Sequence, residues 1–141
     1  MKTAALLRPV TRETMRVAWS DTDASGRIHN TAVFRWAERV EHGLMRAVGI
    51  GDAGNFPRRH VEATFHRPLG YADLFEVVFG VETLGRTSVV YAWRVERAGE
   101  LCVEGKSVVV HVDAATDRPI PLPPALRAVL DGSAEWPAAA Q

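Results

Sequence analysis

Apolar and polar positions alternate from Arg12 to Ser20, with Met15, Val17 and Trp19 on one side and Thr14, Arg16 and Ala18 on the other. A period of two predicts a strand with one buried face. Asp21-Thr-Asp-Ala-Ser-Gly26 has the composition of a turn. From Thr31 to Val48 the period becomes helical: Val33, Trp36, Ala37, Val40, Leu44, Ala47 and Val48 form one stripe. Arg35, Glu38, Arg39, Glu41, His42 and Arg46 crowd the polar side. Asn30 suits the N-cap and Gly49 the stop.

Gly49–Arg59 reads as a loop. Val61, Ala63 and Phe65 predict a strand ending at Arg67-Pro68. Two alternating runs follow, Phe75, Val77, Phe79, Val81 and then Val89, Tyr91, Trp93, Val95. A third, Leu101–Asp113, is apolar on both faces near its end. Gly85-Arg86 and Ala98-Gly99-Glu100 are short enough for hairpin connections. Ala125–Leu130 reads as a short helix behind Pro121, Pro123 and Pro124. Strand, long helix and four strands make an α+β chain, not an alternating α/β one. The simplest packing wraps a five-stranded antiparallel sheet around the apolar stripe of the one long helix. Such an open sheet leaves edges that a second copy can pair with.

The 141 residues suit a single domain, 1–141, with a core over about 12–131 and loose ends at 1–11 and 132–141. Seventeen basic and 17 acidic residues cancel, which excludes nucleic-acid binding by bulk charge. A single cysteine, Cys102, allows no internal disulfide and fits a reducing compartment. No apolar run approaches the roughly 18 residues of a membrane span. The stretch Thr3–Leu7 is shorter than the ~7–15 residues of a signal-peptide core. The expectation is therefore a cytoplasmic protein.

Two tempting motifs fail on context. Gly49-Ile-Gly51-Asp-Ala-Gly54 has dinucleotide-fingerprint spacing, but it follows a helix and precedes a loop with Pro57, the reverse of what the fingerprint needs. Asp21-x-Asp23-x-Ser25-Gly26 opens like a calcium loop, but the twelfth position, which must hold a bidentate carboxylate, is Ala32. The five histidines (29, 42, 60, 66, 111) show no clustered metal spacing, so no metal is expected, and His42, His60 and His66 read as surface or half-buried positions.

What remains is Asp23, a short turn, and His29-Asn30 opening the longest helix. A helix N-terminus carries unpaired N–H groups and the positive end of a dipole, able to hold developing negative charge. A carboxylate six residues before His29 can lie beside it as base or nucleophile, which is a minimal acyl-transfer site. Cap and turn preferences account for the same residue types.

The stretch from Trp19 through Asp21-Thr-Asp23-Ala-Ser-Gly26-Arg-Ile-His29-Asn30 to Phe34-Arg-Trp-Ala-Glu38 resembles the signature of the hotdog-fold acyl-CoA thioesterases of the 4-hydroxybenzoyl-CoA thioesterase type. The resemblance continues through Phe65-His-Arg-Pro68, Ala72-Asp73, Gly85-Arg-Thr-Ser88, Glu104-Gly105 and Asp117–Pro123, covering about residues 14–130. It implies a hotdog fold and hydrolysis of an acyl-CoA or acyl carrier protein thioester, without a cofactor, by a homodimer or homotetramer. It makes Asp23 the catalytic carboxylate and Asp21 structural, with the backbone N–H groups near His29, Asn30 and Thr31 polarising the carbonyl. Arg86, with Arg67, is implied near the phosphates of coenzyme A, and Thr87 and Ser88 along the pantetheine path. The chain departs from the family pattern at Val33, where an aromatic is usual, and at Arg27, where relatives carry an apolar residue or His; both adjoin the acyl pocket. A hotdog hydratase or dehydratase and a non-catalytic acyl-CoA-binding module are the competing readings. The Pro and the closer His of the hydratase motif are missing after Asp23.

Overall fold

The structure is a computed structural model that describes residues 7–50 and 55–137. Its elements run β1 (Leu7–Arg16), α1 (Ala32–Ala47), β2 (Arg58–Phe65), β3 (Leu74–Leu84), β4 (Ser88–Arg97), β5 (Glu100–Val110) and α2 (Pro124–Leu130). The strands form one sheet in the order β1-β3-β4-β5-β2, with every neighbouring pair antiparallel. The alternation in the sequence decides which face looks inward. Val77, Phe79 and Val81 of β3 register with Val95, Trp93 and Tyr91 of β4, and all six are buried. Helix α1 lays Val33, Trp36, Ala37, Val40 and Leu44 against this face, each no more than 4% exposed. Trp36 meets Phe75 with ring centroids 4.2 Å apart, and Phe34 meets Trp93 edge-on at 5.9 Å. This is the hotdog arrangement expected above, one long helix held in a five-stranded sheet.

Gly105 is needed for that packing. A Cβ there would lie 2.4 Å from the Trp93 ring and 2.5 Å from the Glu62 carbonyl. The indole can therefore lie across β5 and donate from Nε1 to Ser107 at 3.1 Å.

Several boundaries differ from the sequence expectation. Strand β1 begins at Leu7, inside the stretch expected to be loose, and ends at Arg16. Trp19 therefore does not continue the inward face of Met15 and Val17; it opens a 3-10 turn, Trp19–Asp21, and is 76% exposed. The cause is Asp21, whose carboxylate accepts the Ala18 N–H at 2.9 Å and draws the chain out of extended geometry. Trp136, in the expected loose tail, is half-buried against Phe79. Glu41 was expected on the polar face of α1, yet it is 2% exposed. It is rotated inward and held by Arg58 Nη1 at 2.7 and 2.9 Å. The α1 N-cap is Thr31, not Asn30. The four fingerprint-like positions after Ile50, 51–54, lie outside the described residues.

Candidate active site at the start of α1

After β1 the chain is pinned to the turn before β3: the Val17 N–H donates to the Asp73 carbonyl at 2.9 Å and the Ala72 N–H to the Val17 carbonyl at 3.0 Å. Asp21 then acts as an anchor. Beyond Ala18, its carboxylate accepts from Arg35 Nη2 at 3.1 Å and Trp36 Nε1 at 3.3 Å. Its carbonyl accepts the His29 N–H at 2.7 Å. One buried residue thus ties the start of the loop, its end and the first turn of α1 together. Buried carboxylates demand such donors, because an unmet charge is expensive.

Between the two ends of that tie, residues 22–28 form a miniature hairpin. Thr22 bridges Ile28, and the Asp23 N–H donates to the Arg27 carbonyl at 2.9 Å. Asp23 sits at the tip, exposed. Its Oδ1 accepts the Ser25 N–H at 2.8 Å and the Ser25 hydroxyl, the side-chain turn that Asp-x-Ser favours. Those bonds hold its pKa below the usual carboxylate range, so it is ionised at neutral pH. Oδ2 has no protein partner among the described residues.

On the returning arm, the His29 N–H is spent on Asp21. The Thr31 N–H is spent on His29 Nδ1 at 3.2 Å, and the Thr31 hydroxyl lies 2.7 Å from the same nitrogen. Arg35 Nη1 donates to that hydroxyl at 3.3 Å. A backbone donor on Nδ1 makes this nitrogen an acceptor and assigns the proton of a neutral ring to Nε2. Of the three amides expected to serve a carbonyl, only that of Asn30 is without a partner among the described residues.

A cleft of about 280 Å³ opens beside this hairpin, lined by Arg27, Ile28 and the segment from Phe65 to Leu69. Backbone bonds build it: Arg27 bridges Gly70, and the Ile28 N–H donates to the Leu69 carbonyl at 3.0 Å. Arg67 stands at its rim, with Nε 3.1 Å from Glu100. Arg86, Thr87 and Ser88 are elsewhere. They form the β3–β4 turn, where the Arg86 carbonyl accepts from Leu122 at 3.0 Å and from Arg127. The 11 residues of β3 separate that turn from the Asp73 end, a span of about 35 Å at the usual rise per residue. One copy of the chain therefore gathers Asp23, His29, Asn30, Thr31 and the cleft with Arg67 at one end, and Arg86, Thr87 and Ser88 at the other.

The sequence offered a signal for Ser25, in its spacing from Asp23. It offered none for the cleft, which exists because the 27–28 and 69–70 backbones meet across some forty residues. Among the described residues no helix is long and apolar enough to cross a membrane.

The comparisons agree with this architecture. The family model of the thioesterase-like superfamily matches residues 17–130. A 1,4-dihydroxy-2-naphthoyl-CoA hydrolase of Prochlorococcus marinus (strain NATL2A) is 24% identical over 110 residues, 68% of this chain and 70% of that protein. The structure of a predicted thioesterase from Bacillus stearothermophilus superposes with a TM-score of 0.80 at 25% identity, over 92% of this chain and 100% of that one. That of Slr0204, a 1,4-dihydroxy-2-naphthoyl-CoA thioesterase from Synechocystis, gives 0.79 at 14% identity, over 87% of this chain and 96% of that one. With the family match spanning β2 to β5, both helices and the Asp23 hairpin, the chain belongs to the thioesterase-like superfamily and is an enzyme of the thioesterase class.

Proposed function

We propose that this thioesterase hydrolyses an acyl-coenzyme A thioester to the free acid and coenzyme A, with Asp23 as the reacting carboxylate and the Asn30 N–H as the oxyanion donor. One observation carries the reading. The Asp23 hairpin and the segment that leaves it present an ionised carboxylate oxygen and the Asn30 N–H, both without protein partners among the described residues, at the start of the longest helix. Both groups are exposed and unspent on the chain, so a bound substrate can displace water and meet them directly. The relatives named as CoA hydrolases support the class of substrate.

The chemistry asks little more. The leaving group is a thiolate, whose parent thiol has a pKa near about 8.5 by comparison with cysteine, so no general acid is needed. The carbonyl oxygen gains negative charge as the carbon becomes tetrahedral. The Asn30 N–H and the positive end of α1 hold that charge. Asp23 either takes a proton from an attacking water or attacks the carbon itself, forming an anhydride that water then cleaves. Label found in Asp23 after a single turnover in ¹⁸O-water marks the anhydride route, because water attack at the Asp23 carbonyl of the anhydride leaves it there and the base route never does. His29, held by Asp21 and Thr31, positions the Asn30 amide through the backbone.

The chain acts as a homodimer or larger assembly in this reading. Strand β2 is a free sheet edge whose Val61 and Phe65 are 41% and 47% exposed, and such edges invite pairing. A two-fold pairing of β2 with its copy sets the Asp23 end of one subunit alongside the Arg86 end of the other. Arg86, Thr87 and Ser88 then serve the coenzyme A bound to the partner's Asp23. The decisive test is release of free thiol from a panel of aryl and straight-chain CoA thioesters, with light scattering on the same sample. Absence of turnover across the panel sinks the hydrolase reading. A fully active 15.5 kDa monomer sinks the shared site.

A further inference from the structure

The cleft beside the Asp23 hairpin has a mixed character that the hydrolytic step does not use. Ile28, Phe65 and the fully buried Leu69 supply apolar surface, while Arg27, His66 and Arg67 supply cationic or polar groups. The cations differ in how they are balanced. Arg67 is paired with Glu100 at 3.1 Å and His66 faces Glu104 at 3.5 Å. The Arg27 guanidinium has no carboxylate or hydrogen-bond acceptor among the described residues, although its own backbone closes the Asp23 hairpin. An arginine without a countercharge beside an apolar cleft is matched to a ligand anion, which its planar fork binds in two-pronged fashion.

We propose that Arg27 reads a negative charge on the acyl group, so that the preferred substrate is a thioester whose acyl part has an apolar body and ends in a carboxylate. This deepens the hydrolase reading and rests on it, since it places the thioester carbonyl between Asp23 and Asn30. The position favours the acyl group over the nucleotide as the source of the anion. Arg27 is directly across the hairpin from Asp23, whereas the pantetheine arm holds the phosphates of coenzyme A far from the thioester sulfur. The cleft's 280 Å³ lies just below the roughly 300–1,000 Å³ of small-molecule sites, a size that suits one ring or a short chain.

The experiment compares matched thioesters: glutaryl- against pentanoyl-CoA, and 4-carboxybenzoyl- against 4-methylbenzoyl-CoA. In the native enzyme kcat/KM favours the carboxylated member by about tenfold or more, the weight of one charge-assisted hydrogen bond. Arg27→Met abolishes the preference and Arg27→Lys restores part of it. The same pairs are run as N-acetylcysteamine thioesters, which lack the nucleotide. If the Arg27→Met effect vanishes there, Arg27 grips a phosphate and the inference falls. It also falls if the native enzyme ignores the charge, or if Arg27→Met keeps the preference with an unchanged melting temperature. Calorimetric binding of free glutarate and pentanoate needs no turnover and separates the two readings. Glutarate selectivity that Arg27→Met removes, in a protein that cleaves no thioester, upholds the inference and sinks the hydrolase. Cleavage without regard to charge does the reverse.

Discussion

The hairpin that carries Asp23 and the buried middle of α1 that carries Glu41 treat a carboxylate in opposite ways. Glu41 is 2% exposed, and Arg58 Nη1 reaches both of its oxygens. Burial pushes its pKa up, against the pull of that arginine. Close by, the fully buried Tyr91 hydroxyl has no partner among the described residues, and the charge of Glu41 adds to the burial that keeps it protonated. Asp23 stands in solvent, and Ser25, its neighbour in the chain, holds its pKa down. One carboxylate is enclosed and balanced by a distant strand. The other is ionised by local bonds alone, with an oxygen to spare. Asp21, two residues away, belongs with Glu41: buried and met by donors from α1. A carboxylate that closes its own hydrogen bonds holds the fold together, and one left open is free to react.

The largest break in this contrast comes from removing the partner of the enclosed group. Arg58→Met leaves Glu41 buried without its cation and costs about 3–5 kcal/mol of unfolding free energy, the usual loss when half of a buried pair is removed. Urea unfolding measures it. Glu41→Leu in the same chain should return most of the loss, because an apolar pair of similar volume avoids the desolvation. The pH dependence has a definite sign. With a folded pKa above its unfolded one, Glu41 contributes stability that is full below the ordinary glutamate pKa and is lost as pH rises through the folded value. Arg58→Met should therefore be least damaging in acid.

Next comes the open group. Asp23→Asn keeps the size and the Ser25 bonds but removes the charge, so kcat falls by at least about 10²-fold, the lower range for acid–base catalysis. The melting temperature stays near wild type. Reduced stability with full kcat per folded molecule would make Asp23 a turn residue and nothing more.

Asp21→Asn inverts that pattern. Its amide turns a donor toward groups that are themselves donors, costing about 1–3 kcal/mol of stability, while kcat per folded molecule changes less than in Asp23→Asn. Thermal unfolding and thiol release on the same preparations give both numbers.

The smallest effect is at Ser25. Since its hydroxyl and amide hold the Asp23 pKa down, the acid limb of the kcat–pH profile lies below the usual carboxylate range. Activity is present above that limb and lost as pH falls through it. Ser25→Ala removes the hydroxyl bond and moves the limb to higher pH. A limb that stays in place shows that Asp23 is not the titrating group.

These contrasts also divide what could be read early from what could not. The element order, the inward faces of β3 and β4 and the stripe of α1 were legible, because period-two and period-3.6 patterns record burial one residue at a time. The turn at Asp23 was legible because its tightest bonds join residues two to four apart. Glu41 was misplaced: helical spacing puts it at the border of the stripe, and only the arrival of Arg58 from β2 makes its burial affordable. Trp19 was misplaced because alternation ran on past the point where Asp21 turns the chain.

By itself, then, the sequence determined the elements, their order, the family likeness and the pairing of a carboxylate with a helix start, all of which rest on local periodicity and short-range bonds. Tertiary structure supplied the cause of one division that the family likeness implies, and alone decided two further matters. Asp21 anchors while Asp23 stays open, because the donors of Arg35 and Trp36 reach one and not the other. Arg27 faces an apolar cleft, because the 69–70 backbone closes against it. Arg86 lies a full strand length from Asp23 in one copy, because an antiparallel hairpin returns the chain only at its far end.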